Sequence, residues 1–216
     1  EEFRKLAVLY VADGHHRSAA ATKIKAKRQE ANPRHTGDEE DNFFLAVIFP
    51  DNQMKILPYN RLVKDLNGLD RDAFLARVSE RFTCEKSLAK EPRRPQEFAM
   101  YLAGQWYRLA AKPGTFAAAD AIASLDVSIL QANLLAPVLG IQDPRTDKRI
   151  DFVGGIRGTA ELERKVDGGG FAVAFSFRAT TIEQLFAVAD AGKIMPPKST
   201  WFEPKLKDGL VSHRID

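Results

Sequence analysis

"EFAMYLAGQWYRLAAK", residues 97 to 112, decides the fold class. Two apolar and aromatic runs meet at Gly104-Gln105, a break of the kind that joins antiparallel strands, so the stretch is predicted to be a hairpin. On its N-terminal side, "LDRDAFLARVSERF" (69–82) spaces Phe74, Leu75, Val78 and Phe82 as a helix does. The prolines of "KEPRRPQ" (90–96) separate the two. Further back, "NFFLAVIFPDNQMKILPYNRL" (42–62) holds two β-rich runs around Pro50-Asp51-Asn52 and is predicted to be a second hairpin.

Beyond residue 117 the pattern turns helical. "SLDVSILQANLLAPVLGI" (124–141) is apolar on nearly every side, which predicts a buried helix that Pro137 bends or ends. "KRIDFVGG" (148–155) reads as a strand and "TAELERKV" (159–166) as a short exposed helix. In "GGGFAVAFSF" (168–177) Phe171, Val173, Phe175 and Phe177 point one way, with Ala172, Ala174 and Ser176 opposite, so the small face can take a closely packed helix. The helix that follows is the candidate, "TIEQLFAVADAGK" (181–193), with Thr180 and Glu183 at capping-box spacing and Gly192 as its stop. "GLVSHRI" (209–215) is predicted to be a final strand. Hairpins and helices alternate without a βαβ period, so the expected class is α+β with a mainly antiparallel or mixed sheet and packed helices. Residues 1–116 and 117–216 are the expected regions, packed as one unit.

Composition narrows the function classes. The chain has 216 residues, 44% hydrophobic, with a net charge of +3 and Cys84 as its one cysteine. An internal disulfide and a cysteine-based zinc site are thereby excluded, which fits a cytoplasmic protein. The apolar runs fall short of the roughly 20 residues of a membrane helix, so no membrane association is expected. Lys23, Lys25, Lys27 and Arg28 lie around one helix without aromatic residues between them, a solvated face rather than a nucleic-acid surface. The first residue is Glu1, and a motif follows almost at once, so the sequence is expected to be a fragment of a longer protein.

That motif is "YVADGHHRSAAATKIKAKR" (10–28). The buried strand predicted for "LAVLYVA" (6–12) breaks at Asp13-Gly14 and gives way to a helix reaching about Ala31. A helix start carries unpaired N–H groups and the positive end of the dipole, so this is where an anion would be held. Gly14 lets a ligand approach the backbone, His15 and His16 offer ring N–H donors, and Arg17 can grip phosphate with two N–H groups. Asp13 fits a helix cap or a group that orients a histidine. The bland alternative is a cap followed by surface histidines. Metal binding through Asp13, His15 and His16 is disfavoured because adjacent helical residues point apart.

Other candidates lie elsewhere. Lys198, Ser199 and Thr200 in "MPPKSTWFEPKL" (195–206), with Lys205 after them, sit in a proline-stiffened loop able to contact phosphate or a polar substrate. The glycines of a P-loop are missing upstream. Asn60 and Arg61 in "PYNRLV" could add an anion contact, or be a turn residue and a surface cation. "VGGIRG" and "DGGGF" lack the strand-to-helix setting of a dinucleotide fingerprint and read as turns.

"VADGHHRSAAA" resembles the phosphate-binding motif of the ParB/sulfiredoxin-like superfamily, and its "DGHHR" wording is closest to the free-serine kinases that use ADP or ATP. Over nearly all 216 residues, "ADGHHR" (12–17), "NRLV" (60–63), "DVSIL" (126–130) and "ADAGKIMPPKSTWFEPKL" (189–206) resemble the DUF1015 family, whose members are about twice this length. The resemblance implies a ParB/sulfiredoxin-like element at the N-terminal end and places Gly14, His15, His16 and Arg17 at nucleotide phosphates. It implies ATP or ADP with Mg²⁺ as cofactor and a small hydroxyl metabolite such as serine as substrate. Asp13 and His16 are then the candidate catalytic groups. A kinase of this type also uses a carboxylate base upstream of the motif, where this sequence has Glu1 and Glu2. The alternative is a nucleotide-responsive binding protein without catalysis.

Overall fold

The structure, a computed structural model, describes residues 2–207 and 209–215. Contacts divide the chain into two compact units, Glu1–Lys55 with Phe202–Asp216 and Ile56–Trp201. Residue 116 lies inside the second unit. The fold is mixed α+β, and every ladder of its main sheet is antiparallel.

The second unit is built on a sheet of six strands: β2 (Tyr59–Val63), β3 (Phe82–Lys86), β4 (Glu97–Leu102), β5 (Gln105–Ala111), β6 (Ile150–Gly154) and β7 (Val173–Ser176), in the order β3-β5-β4-β7-β2-β6. The short strands β1 (Lys55–Leu57) and β8 (Trp201–Glu203) each run across a boundary between the units. The β4–β5 hairpin forms as its sequence predicts, in the register Leu102↔Gln105. Ala103 and Gly104 both have positive φ, 48° and 79°, the two-residue turn whose twist matches the strands.

One face of this sheet carries the main core. Val173, Phe175 and Phe177 of the β7 segment point into it, and Phe98 stacks edge-on against both Phe82 and Phe177 at 5.8 and 5.4 Å. Against this face lie helix α2 (Arg71–Arg81), capped by the Asp70 carboxylate accepting the Ala73 N–H at 2.8 Å, and the buried 125–141 segment. That segment starts as α3 (Asp126–Leu130) and widens to a π-turn over Gln131–Leu135. It stops short of Pro137, whose ring cannot sit inside a helix.

Helix α4 (Ala160–Asp167) covers the opposite, small-residue face. Leu162 and Val166 pack on Ala174, Ala99 and Leu62, so this helix is half-buried rather than exposed. It also takes the place predicted for the following helix, α5 (Ile182–Asp190), whose Val188 joins the main core instead. Phe171 packs on the α4 side, opposite to its expected partners, because it precedes the strand proper. Two hydrogen bonds fix α4: Tyr101 Oη donates to Asp167 at 2.9 Å and Trp106 Nε1 to Glu163 at 2.7 Å. The capping box of α5 is formed by Thr181 and Gln184, one residue after the predicted pair.

The first unit holds α1 (His15–Ala31), ended by Asn32 as expected. Among its described residues, the predicted strands at 6–12 and 209–215 are not formed. Nor is the first arm of the 42–62 hairpin, since a 3-10 turn occupies Asp51–Gln53 and β2 pairs with β6 and β7 instead. A strand needs a ladder partner, and these runs have none within the described residues. Their side chains stay about half-exposed, among them Leu6, Val8, Leu9, Phe43, Phe44, Leu45 and Val47. None of residues 2–55 is buried.

Candidate functional site

The predicted residues gather in two places, one in each unit. In the first, Gly14 stands at the head of α1 with φ 85° and ψ 23°, a left-handed conformation that a side chain would strain. The helix begins at His15, and no side chain caps it. Its first backbone bond runs from the Ser18 N–H to the Gly14 carbonyl at 2.9 Å. The N–H groups of His15, His16 and Arg17 therefore precede the helical ladder and face outward, as helix starts leave them. The Arg17 guanidinium folds back toward Gly14, with Nε and Nη2 each 3.4 Å from where a Cβ would stand.

Asp13 is not the helix cap the sequence suggested. Its Oδ1 accepts the N–H of Gly14 at 2.8 Å, and its Oδ2 takes the Lys205 ammonium at 3.0 Å. Burial works against the ionised form, but the Lys205 ammonium, the Gly14 N–H and Arg17 outweigh it and hold the carboxyl below its usual range. Lys205 thus joins a motif that lies far from it in sequence.

 The pairing spans 192 residues of sequence.

In the second unit, Arg61 of β2 meets the 196–200 loop, and Asn60 precedes it in the strand. Asn60 is buried and its Oδ1 accepts the Phe177 N–H at 3.1 Å, so it is no turn residue. Arg61 is no surface cation either. It is 4% exposed, donates through Nη1 to the Tyr59 carbonyl at 2.5 Å and through Nη2 to the Lys198 carbonyl at 3.2 Å, and lies over the Phe177 ring at 4.5 Å. Lys198 has φ 55°, and its ammonium sits 5.3 Å from the Tyr59 ring. Ser199 is buried, its hydroxyl donating to the Pro196 carbonyl at 2.5 Å, while its own carbonyl accepts from Thr180 Oγ1 at 3.2 Å. Thr200 is half-buried next to it. Trp201 packs on Tyr59 at 5.3 Å and leaves no room for a side chain at Gly154.

Sequence reasoning missed Tyr59, Phe177 and Thr180. A period of two from Arg61 puts Tyr59 and Val63 on the same face, a signal that was available; Phe177 meets Arg61 just beyond the β2–β7 ladder, and Thr180 joins through its hydrogen bond to the Ser199 carbonyl. It also missed the environment of Asp126 in "DVSIL". This carboxylate accepts the Gln96 N–H at 2.7 Å, and burial pushes it up to about 6 against the pull of that bond and of Arg178. Among the described residues, no group of three or more His, Cys, Asp and Glu side chains is placed to hold a metal ion. No helix there is long and apolar enough to cross a membrane.

The DUF1015 family, described as a protein of unknown function, matches residues 1–128. This chain belongs to the DUF1015 family. No curated protein matches the sequence. Among solved structures, a conserved hypothetical protein from Pyrococcus furiosus is 16% identical with a TM-score of 0.50, the match covering 92% of this chain and 72% of that one. That likeness bears on the fold alone. A mutant free serine kinase in complex with AMP is 14% identical with a TM-score of 0.49, over 89% of this chain and 66% of that one. The ADP complex of a free serine kinase mutant gives 15% and 0.47 over the same shares. This DUF1015 chain thus spans 66% of the kinase's length.

Proposed function

We infer that the Asp13–Arg17 turn of this DUF1015 protein holds nucleotide phosphates, and that the protein acts as an ATP- or ADP-dependent phosphotransferase on a small hydroxyl metabolite such as serine. The observation that carries the reading is the uncapped start of α1 with the Arg17 guanidinium folded over Gly14. Phosphate oxygens would accept from the N–H groups of His15, His16 and Arg17, from the histidine rings and from the Arg17 fork. Lys205, drawn in by Asp13, adds a second cation. Phosphoryl transfer is mostly positioning and charge neutralisation, which such a turn supplies. Mg²⁺ would be held chiefly by the phosphates themselves and would neutralise further charge, with Asp13 as the turn's one carboxylate. His16 and Asp13 are the candidate catalytic groups. Asn60, Arg61, Lys198, Ser199 and Thr200 are the candidate contacts to the metabolite.

A second reading, nucleotide-responsive binding without transfer, draws on the state of Asp13. A carboxylate held ionised by Lys205 and the Gly14 N–H is a weak base.

A thermal-shift panel of ATP, ADP, CTP and GTP, with and without Mg²⁺, tests the binding claim. A ligand that binds only the folded state raises its stability, so at least one nucleotide should raise the midpoint, and Arg17→Ala should abolish the rise. No rise, or the same rise in Arg17→Ala, refutes phosphate binding. Incubation with serine and each nucleotide then separates the two readings: phosphoserine supports transfer, and its absence with both donors leaves binding alone.

A further inference from the structure

Among the described residues, a charge without a counter-charge sits in the second unit. Arg61 is almost wholly buried, yet its partners are two backbone carbonyls and the rings of Phe177 and Phe152, at 4.5 and 5.4 Å. Two of its five N–H groups are thereby engaged. Burial pushes its titration down to about 9. The strand neighbour that shares its face, Val63, is apolar, and an apolar residue would suit position 61 equally well on stability grounds. Lys198 brings a second positive charge to the same place, over the Tyr59 ring, and among the described residues it too forms no ion pair. The loop that carries it is already shaped. Lys198 keeps a left-handed backbone because its carbonyl is tied to Arg61, and Ser199 and Thr180 pin the following turn. Strained residues held in this way are common at ligand clamps.

We propose that Arg61 and Lys198 form an oxyanion site in the second unit, which takes the carboxylate or phosphate group of a small molecule, with Arg61 as the buried counter-charge and Lys198 at the rim. This deepens the assignment of that cluster as a metabolite contact by naming the group it grips, and it stands whether or not the α1 turn binds nucleotide.

The test is thermal unfolding of the chain in low-chloride buffer with three probes: glycolate, inorganic phosphate and neutral glycolamide. At a hundredfold excess over its dissociation constant, a fitting anion should raise the midpoint by roughly 5 to 10 °C. Glycolamide should do nothing. Whichever of glycolate and phosphate acts identifies the group. Arg61→Met should lose the response, Arg61→Lys should keep part of it and Lys198→Met should weaken it. Every arm is run in the Arg17→Ala background as well, where the α1 turn no longer takes phosphate, and the response that remains there belongs to this site. The proposal is overturned if neither anion acts, if glycolamide matches glycolate, if Arg61→Met responds in full, or if Arg17→Ala rather than Arg61→Met removes the response. Should the Arg61 variants not fold, Lys198→Met decides, since its side chain is exposed and an undiminished response there overturns the site.

Discussion

Asp126→Asn should make the protein more stable at neutral pH. The Asp126 carboxyl is raised from an ordinary value of 3.8 to about 6, first by burial, with the Gln96 N–H and Arg178 pulling the other way. Below about pH 4 the group is protonated in both folded and unfolded chains, and folding bears no cost from it. Between pH 4 and 6 the unfolded chain ionises freely while the folded one resists, so stability falls as pH rises. Each pH unit across that window is worth about 1.4 kcal/mol, which gives a loss of about 3 kcal/mol by pH 7. Asparagine keeps an Oδ1 for the Gln96 N–H and carries no charge to desolvate. Urea unfolding of parent and variant at pH 4, 5, 6 and 7 reads the difference directly. The two should nearly coincide at pH 4 and diverge by about 1 to 2 M in midpoint at pH 7, the variant higher. Histidines and other carboxylates are common to both proteins and cancel. Parallel profiles would refute the reasoning, because they would mean that the carboxylate is as well solvated folded as unfolded.

Gly154→Ala places a Cβ 2.6 Å from the Trp201 ring and should cost about 1 to 3 kcal/mol in urea unfolding; an unchanged midpoint would show that the ring moves aside freely. Thr181→Ala removes the hydroxyl that accepts the Gln184 N–H and should cost about 1 kcal/mol, with faster hydrogen exchange in the first turn of α5 than elsewhere in that helix.

The 97–112 hairpin was legible because both its turn and its two runs are local, and α2 and α1 were legible for the same reason. The 42–62 hairpin misled because a turn cluster says that the chain bends and not that its arms pair; Tyr59–Val63 finds its ladder with residues about 90 and 110 positions away. Pattern alone could not choose which helix covers Ala174, since α4 and α5 both offer an apolar side. At the candidate site, the break at Asp13-Gly14 and the helix start after it were readable from one short motif. The partnership of Asp13 with Lys205, and the burial of Arg61, depend on chain segments far apart in sequence, where short-range rules have no hold.

The place of β7 in the sheet bears on how the second unit is made. It lies between β4 and β2, yet it is the last of the six strands to leave the ribosome. Until residues 173–176 emerge, the β4 edge and one edge of β2 remain open, each a template for pairing with another chain. Closing the gap joins residues more than a hundred positions apart, a slow step for a sheet built from distant contacts. Nascent chains stalled before residue 173 should therefore be the aggregation-prone species, and their protection by chaperones should end once β7 is free to enter.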